Sequence, residues 1–143
     1  METVVAASLP YADPSRPVHF LGIGQLKDVF RFVRLGVDTF DCVIPTRLAR
    51  HGTAFMKGAP GETINLKNAR YRNDDTPLDE ANLISASSQF SKAYIHHLFK
   101  AGEMLGMQIL AQHNIATINR LMREVRAAIK NGTLDELQKE WLP

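Results

Sequence analysis

The chain has 143 residues, of which 45% are hydrophobic and 22% charged, and its formal net charge is +2. This length fits one domain and is too short for a complete eight-stranded α/β barrel, which takes about 250 residues. The mild charge does not favour nucleic-acid binding by the chain as a whole, and a single cysteine excludes a disulfide framework and a multi-cysteine metal site. Without an apolar run near the ~20 residues of a membrane span, or a segment resembling a signal peptide, composition predicts a cytoplasmic protein with no membrane association.

The first third of the sequence predicts a strand–helix–strand unit. Residues 18–24 form a short β-rich apolar run, and residues 25–36 place apolar side chains at helical spacing, with Gly36 as the helix stop. Residues 38–44 form a second short strand, which Pro45 ends. Strands joined by one helix and short links are typically parallel, so this segment is typical of an α/β protein.

The middle of the sequence predicts a β-hairpin over residues 53–67, followed by a polar, proline-containing loop over residues 71–83. Six basic residues also lie between Cys42 and Arg72, opposed by Glu62 alone: Arg47, Arg50, Lys57, Lys67, Arg70 and Arg72. Such a cluster is either a solvated face or a surface that contacts phosphates, and composition does not separate the two.

The last third predicts helices. One covers residues 87–104, and a second begins at Asn114 as its N-cap and ends at Gly132. A short final helix follows Thr133, which we expect to cap it. The positions expected to face the core in the second helix are Ile115, Ile118, Leu121, Met122, Val125 and Ile129.

Four ordered blocks, which cover residues 36–52, 64–79, 90–106 and 112–137, carry a family resemblance: GVDTFDCVIPTRLARHG, INLKNARYRNDDTPLD, FSKAYIHHLFKAGEMLG and QHNIATINRLMREVRAAIKNGTLDEL. From about Arg16 onward the chain resembles the C-terminal part of bacterial tRNA-guanine transglycosylase. That family folds as a TIM barrel with a zinc-binding insertion near its end. It exchanges guanine at the wobble position of certain tRNAs for a 7-deazaguanine base, on the way to queuosine.

The resemblance implies a partial barrel: the last strand–helix–strand units of a TIM (β/α)8 barrel, a β-hairpin and C-terminal helices. Four segments are expected on this basis: a lead-in over 1–15, terminal barrel units over 16–52, a hairpin and loop region of a degenerate zinc-binding subdomain over 53–87, and helices over 88–143.

Asp41 falls on the family's nucleophile position. Catalytic groups of a TIM barrel lie at the carboxyl ends of its strands, and Asp41 lies at the end of the expected last strand. A carboxylate can stabilise an oxocarbenium-like transition state at C1′ of a ribose and trap the sugar covalently while bases exchange. The alternative is that Asp41 caps a turn or pairs with Arg47.

Other positions carry weaker implications from the resemblance. Leu21, Gly22 and Gly24 match the apolar residue and the glycine pair that line the base pocket. Arg47 and Arg50 match positions that contact the tRNA anticodon loop, and Lys67 and Arg70 belong to the same basic stretch. Surface charge is the alternative for all four basic residues. Cys42 is expected to pack as a small hydrophobe.

The family's zinc site is expected to be absent from this chain. Its three cysteine positions are here Asn82, Ile84 and Ser87, and only the histidine, His113, is retained. Structural zinc needs four nitrogen or sulfur ligands, so no metal or other cofactor is expected, and His113 becomes a core or cap histidine. Apolar packing around Ile84 is expected to replace the metal.

The residues that read the guanine edge, and the aspartate that serves as acid and base, belong to earlier strands of the family's barrel. Alone, the chain is therefore expected to be inactive. Three interpretations stay open: an enzyme segment that needs a complementary barrel half, a non-catalytic RNA-binding or subunit-pairing module in a homo- or hetero-oligomer, and a structural component of a larger assembly.

Overall fold

A computed structural model describes residues 1–82 and 86–143 of the chain. Its helices are α1 (Glu2–Ser8), α2 (Leu26–Leu35), α3 (Ile44–Arg50), α4 (Lys92–Ala101), α5 (Met104–Asn131) and α6 (Leu134–Trp141). Its strands are β1 (His19–Leu21), β2 (Thr39–Asp41), β3 (Thr53–Phe55) and β4 (Thr63–Asn65). The chain divides into two compact units, unit 1 (Met1–Ile44) and unit 2 (Pro45–Pro143), each described here by itself.

Unit 1 contains the predicted βαβ unit. β1 pairs with β2 in parallel register, and α2 connects the two strands and ends at Gly36, which has a φ of 103°. A small core of Ile23, Phe32 and Val37 lies between helix and sheet. The Phe20 ring packs edge-on against Phe32 with centroids 4.7 Å apart. The parallel pair and its crossover helix are confirmed.

The predicted second strand is too long. β2 ends at Asp41, and the residues from Ile44 onward form α3, so that Pro45 lies in the first turn of a helix. Proline is well tolerated there because the first helical N–H groups have no intrahelical partner. The proline therefore marks the start of a helix, and the strand ends before it.

Unit 2 packs a hairpin against helices. β3 and β4 pair antiparallel, as predicted, and their core contacts come from residues such as Ala54, Leu66, Ile95 and Leu110. The long helix α5 contacts α4, α6 and β3, so it is the element that organises this unit. In the described part of the chain, no helix combines the length and the apolar composition that a bilayer crossing requires.

The predicted starting residues of two helices in unit 2 are wrong, although both helices are present. α4 begins at Lys92 with Ser91 as its N-cap, although the sequence predicted a helix from residue 87. Asn114 was expected to cap a helix, but α5 begins ten residues earlier, at Met104, and Asn114 is buried in its interior. Expected core positions Ile115 and Ile129 are 46% and 53% exposed, because the buried face of α5 is centred on Leu110, Leu121 and Val125.

The C-terminal helix is fastened by a group that we call the Trp141 clasp, made of Lys57, Arg120, Glu124, Glu140 and Trp141. The Trp141 ring is fully buried, and its Nε1 donates to Glu124 over 2.8 Å. Arg120 donates to the same carboxylate over 2.6 Å, and Lys57 lies 3.3 Å from it and 2.9 Å from Glu140. These contacts join α5, α6 and the loop after β3.

Candidate functional site

The carboxyl ends of β1 and β2 lie side by side. The parallel register pairs Leu21 directly with Asp41, so both strands end at the same edge of the sheet. In parallel α/β folds this edge is where ligands bind and catalytic groups are found. The structure therefore brings together three of the residues that the sequence singled out: Leu21, Gly22 and Asp41.

The Asp41 side chain is 63% exposed. Its backbone carbonyl accepts the Gly22 N–H over 2.9 Å, and its Oδ1 accepts the same N–H over 3.3 Å. Nε2 of His19 lies 3.7 Å from Oδ1. The turn-capping interaction that the sequence left open is thus present, but it uses one oxygen of a carboxylate that otherwise faces solvent.

His19 is a neighbour of Asp41 that the sequence analysis missed. Residues 19 and 21 of β1 share a face because side chains alternate along a strand, and the parallel register brings that face beside Asp41. Nδ1 of His19 is 2.8 Å from the hydroxyl of Thr39. Strand alternation was the signal that could have identified this histidine once the register was known.

The glycines after β1 shape the backbone beside Asp41. Gly22 has a φ of 78°, in the left-handed region that favours glycine. Gly24 is buried, and a Cβ at this position would overlap Sγ of Cys42. Cys42 thus packs against a glycine backbone, as its predicted packing role requires. Burial raises the pKa of the Cys42 thiol, despite a hydrogen bond from the Ile44 backbone, so the thiol is a poor source of thiolate.

Leu21 is 70% exposed, although its side chain is apolar. It lies opposite Asp41 in the register of the paired strands, and its exposure leaves its apolar side chain accessible. Its expected place against a base is compatible with this position.

The expected metal position lies in unit 2, and its described residues contact one another. Nδ1 of His113 is 3.0 Å from Oγ of Ser87 and 3.4 Å from Nδ2 of Asn82. Ile84 lies outside the described residues. Asn82 and Ser87, two of the three positions where the resemblance implies cysteines, therefore contact His113 through hydrogen bonds, and the expected apolar packing around Ile84 stays a prediction.

His113 is a core residue with no exposed surface. Burial lowers the pKa of His113, against the opposing effects of its hydrogen bond to the Phe55 carbonyl and the charge of Asp79. The imidazole is therefore neutral at pH 7. Among residues 1–82 and 86–143, no three His, Cys, Asp or Glu side chains converge as metal ligands would.

The basic residues expected to contact RNA are exposed. Arg47 and Arg50 lie in the last turn of α3. The aliphatic part of Lys67 lies against Gly52, where an added Cβ would come within 2.9 Å of Lys67 Cγ, and its Nζ is 5.7 Å from the centroid of the Phe99 ring. The Lys67 ammonium is thus held by packing of its stem and by a cation–π contact.

Asn114 is a highly connected polar residue that the sequence analysis misassigned. Its side chain accepts the N–H of Phe55 over 2.8 Å and donates to the carbonyls of Pro45, over 2.8 Å, and Thr53, over 3.1 Å. It therefore joins α5 to β3 and to the start of α3. The helical spacing that places Asn114 on the same buried face as Leu110 and Leu121 was the available signal.

The family model described as queuine tRNA-ribosyltransferase matches residues 1–143. The queuine tRNA-ribosyltransferase of Roseiflexus sp. strain RS-1 is 43% identical over 143 residues, which cover 99% of this chain and 36% of that protein. Relatives of the same name from Methylacidiphilum infernorum and Caulobacter vibrioides are 41% and 46% identical and cover 96% and 88% of this chain.

The matched region makes up 36% of the Methylacidiphilum protein and 33% of the Caulobacter protein, so the chain spans about a third of the length of the curated relatives it matches. The match of the family model runs from the first residue to the last, and it includes both the Asp41 strand end and the His113 region. The chain belongs to the queuine tRNA-ribosyltransferase family.

Proposed function

We propose that the chain is a C-terminal segment of a tRNA-guanine transglycosylase in which Asp41 is the nucleophile, and that it is inactive alone. The observation that carries this proposal is the exposed carboxylate at the end of β2, paired in register with Leu21 and beside the Gly22 turn. An exposed acid at the carboxyl edge of parallel strands suits attack on a bound substrate.

The chemistry assigned to Asp41 is displacement at C1′ of the wobble nucleotide. Oδ of the carboxylate forms a bond to C1′ as the bond from C1′ to the guanine nitrogen breaks, through an oxocarbenium-like transition state. The departing guanine takes a proton from an acid outside this chain, and the incoming 7-deazaguanine base then reverses the steps. Gly22 N–H, which already donates to Oδ1, would orient the carboxylate.

The partner required by this proposal is the remainder of the barrel. Among the described residues, β1 and β2 pair only with each other, so each strand has an open edge. Unpaired edges of parallel strands bind further strands, and parallel sheets are rarely stable as isolated pairs. A complementary barrel half of the family would supply those strands together with the acid and base.

The test combines this chain, a complementary family barrel half and a cognate tRNA, and measures the incorporation of labelled guanine. We expect exchange that requires both polypeptides and that Asp41→Asn reduces by at least about 10³-fold, as removal of a nucleophile does. Asp75→Asn, an exposed aspartate in the loop of unit 2, is the matched control and should retain exchange. Exchange that persists in Asp41→Asn would contradict the nucleophile role.

A second function is RNA binding without catalysis. It is favoured by Lys67, whose ammonium group contacts the Phe99 ring, and by the exposed Arg47 and Arg50. A lysine whose stem is already packed loses less conformational freedom when it contacts a phosphate. In this alternative, the chain contributes tRNA affinity or pairs with another subunit of the family, and Asp41 has no chemical role.

Fluorescence anisotropy with labelled tRNA at several salt concentrations tests this second function. The double variant Arg47→Ala/Arg50→Ala should weaken binding and reduce the slope of log K against log salt by about 2, since each lost phosphate contact removes about 1. The control Arg123→Ala/Arg126→Ala removes equal charge from the exposed surface of α5. Equal effects of both double variants would show that binding follows net charge alone.

A further inference from the structure

The imidazole of His113 has one tautomer that satisfies its neighbours. Nε2 lies 2.7 Å from the carbonyl oxygen of Phe55, which can only accept, so Nε2 carries the proton and donates it. In the neutral ring Nδ1 then carries a lone pair and accepts the hydroxyl proton of Ser87 over 3.0 Å. Both nitrogens of the ring are therefore engaged.

Two more side chains complete a buried group that we call the His113 cluster: Asn82, Ser87, His113 and Thr117. Thr117 donates its hydroxyl proton to the backbone carbonyl of His113 over 2.8 Å, which leaves its oxygen free to accept from Asn82 over 3.2 Å. The four residues are at most 4% exposed. Within residues 1–82 and 86–143, no buried side-chain polar atom lacks a partner.

The cluster connects three segments of unit 2. Asn82 and Ser87 belong to the segment before α4, His113 and Thr117 lie one turn apart on α5, and Phe55 is the last residue of β3. Each contact is buried, where hydrogen bonds are stronger and unpaired groups are costly. The cluster thus connects Asn82 and Ser87 to α5, and it connects α5 to the hairpin.

The donor set of the cluster does not fit zinc. Zinc needs an imidazole lone pair, but one nitrogen of His113 carries a proton held by Phe55, and the lone pair of the other accepts from Ser87. A side-chain amide and neutral hydroxyls replace the thiolates that structural zinc sites use. Binding zinc would break these hydrogen bonds and gain one ligand.

We propose that the His113 cluster is a metal-independent lock that fastens Asn82 and Ser87 to α5 and β3 at the place where the family's zinc is expected. The folding of unit 2 is then independent of zinc, and the hydrogen bonds supply the cross-connection that metal ligation would otherwise provide. This inference concerns unit 2 alone and stands whether or not Asp41 is catalytic.

The first test uses the purified full chain. Metal analysis by mass spectrometry should find far less than one zinc per chain, and the thermal midpoint Tm should be the same with EDTA, with added zinc and with neither. Stoichiometric zinc that EDTA removes with a fall in Tm would overturn the proposal. A long-range ¹H–¹⁵N spectrum should show His113 as the neutral Nε2–H tautomer, and a metal-bound or Nδ1–H pattern would also overturn it.

The second test compares two threonines of unit 2. Thr117→Val removes one buried acceptor of Asn82 and the hydroxyl that donates to the His113 carbonyl, and it should lower Tm by about 4–8 °C in a unit of this size. Thr133→Val makes the same change at the exposed residue before α6, whose side chain makes no capping hydrogen bond, and should leave Tm nearly unchanged. Equal Tm values for these two variants would show that the cluster does not lock the unit.

Discussion

The Asp41 strand end is the proposed nucleophile position and the His113 cluster is the place where the family resemblance implies zinc, and the two differ in burial and in what surrounds them. Asp41 presents most of its side chain to solvent, with one backbone N–H and one histidine nearby. The residues around His113 differ from the cysteines that the resemblance implies, but the site is buried and every described polar side chain in it has a partner.

Burial determines which substitutions each of the two sites can accept. A buried site that changes its ligands must satisfy the remaining polar groups, because an unpaired buried donor or acceptor costs about 1–3 kcal/mol. An exposed strand end has water as a partner and carries no such requirement. Substitution of Asp41 is therefore expected to leave folding intact, whereas the His113 cluster is part of the fold itself.

The largest expected effect tests this difference directly. His113→Ala leaves a cavity and removes one hydrogen bond of Ser87 and one of the Phe55 carbonyl, so the free energy of unfolding should fall by about 3–4 kcal/mol. Asp41→Asn should change it by less than about 0.5 kcal/mol, as substitutions at exposed positions usually do. Chemical denaturation measures both, with the exposed His97→Ala as the residue-matched control. Similar losses for His113→Ala and Asp41→Asn would remove the distinction between the two sites.

A slightly smaller effect is expected at Asn114. Asn114→Ala removes one acceptor and two donors that serve backbone groups of β3 and α3, and we expect a loss of about 2–3 kcal/mol. Asn119→Ala, on the exposed side of the same helix, should be nearly neutral. If denaturation curves of the two variants coincide, Asn114 does not join the helix to the hairpin.

A substitution at Gly24 tests whether buried packing within unit 1 stabilises the strand end that carries Asp41. A methyl group on Gly24 would overlap Sγ of Cys42, so Gly24→Ala should destabilise unit 1 by about 2 kcal/mol. In a Cys42→Ala background, Gly24→Ala should lower the free energy of unfolding by clearly less, because the sulfur atom that the methyl group would overlap is absent. A double-mutant cycle with no coupling between the two positions would show that they do not pack together.

The smallest effect concerns the Trp141 clasp and pH. Desolvation raises the pKa of Glu124, but hydrogen bonds from Arg120 and Trp141 and the charge of Lys57 outweigh it and lower the pKa. The lowered pKa means that the unfolded chain binds more protons than the folded chain at acidic pH. The stabilising contribution of Glu124 to the free energy of unfolding is therefore fully present above pH 4.5, the ordinary pKa of a glutamate. It is lost as pH falls through the lower pKa of the folded state. Glu124→Gln should cost about 1 kcal/mol at neutral pH and flatten the acid limb of stability. If the stability of Glu124→Gln falls at acidic pH as steeply as that of the unchanged protein, Glu124 does not make this contribution.

Local patterns predicted the βαβ unit, the hairpin and the helix stops at Gly36 and Gly132, because glycine positions and alternation act over a few residues. The family resemblance placed Asp41 at its strand end. The hydrogen bonds of His113 could not be predicted, since their partners lie 26 and 58 residues away. Asn114 was misassigned for the same reason: its polar group suits a helix start, and only tertiary contacts keep it inside a helix.

The buried Trp141 gives the protein a built-in optical reporter. It is the only tryptophan among the 143 residues, and it lies wholly within the clasp between α5 and α6. Emission excited at the indole band therefore follows the detachment of α6 and of nothing in unit 1, whereas far-ultraviolet circular dichroism follows the helices of both units. Recording the two signals in one melt would show whether the strand end with Asp41 and the unit with His113 unfold together or in sequence.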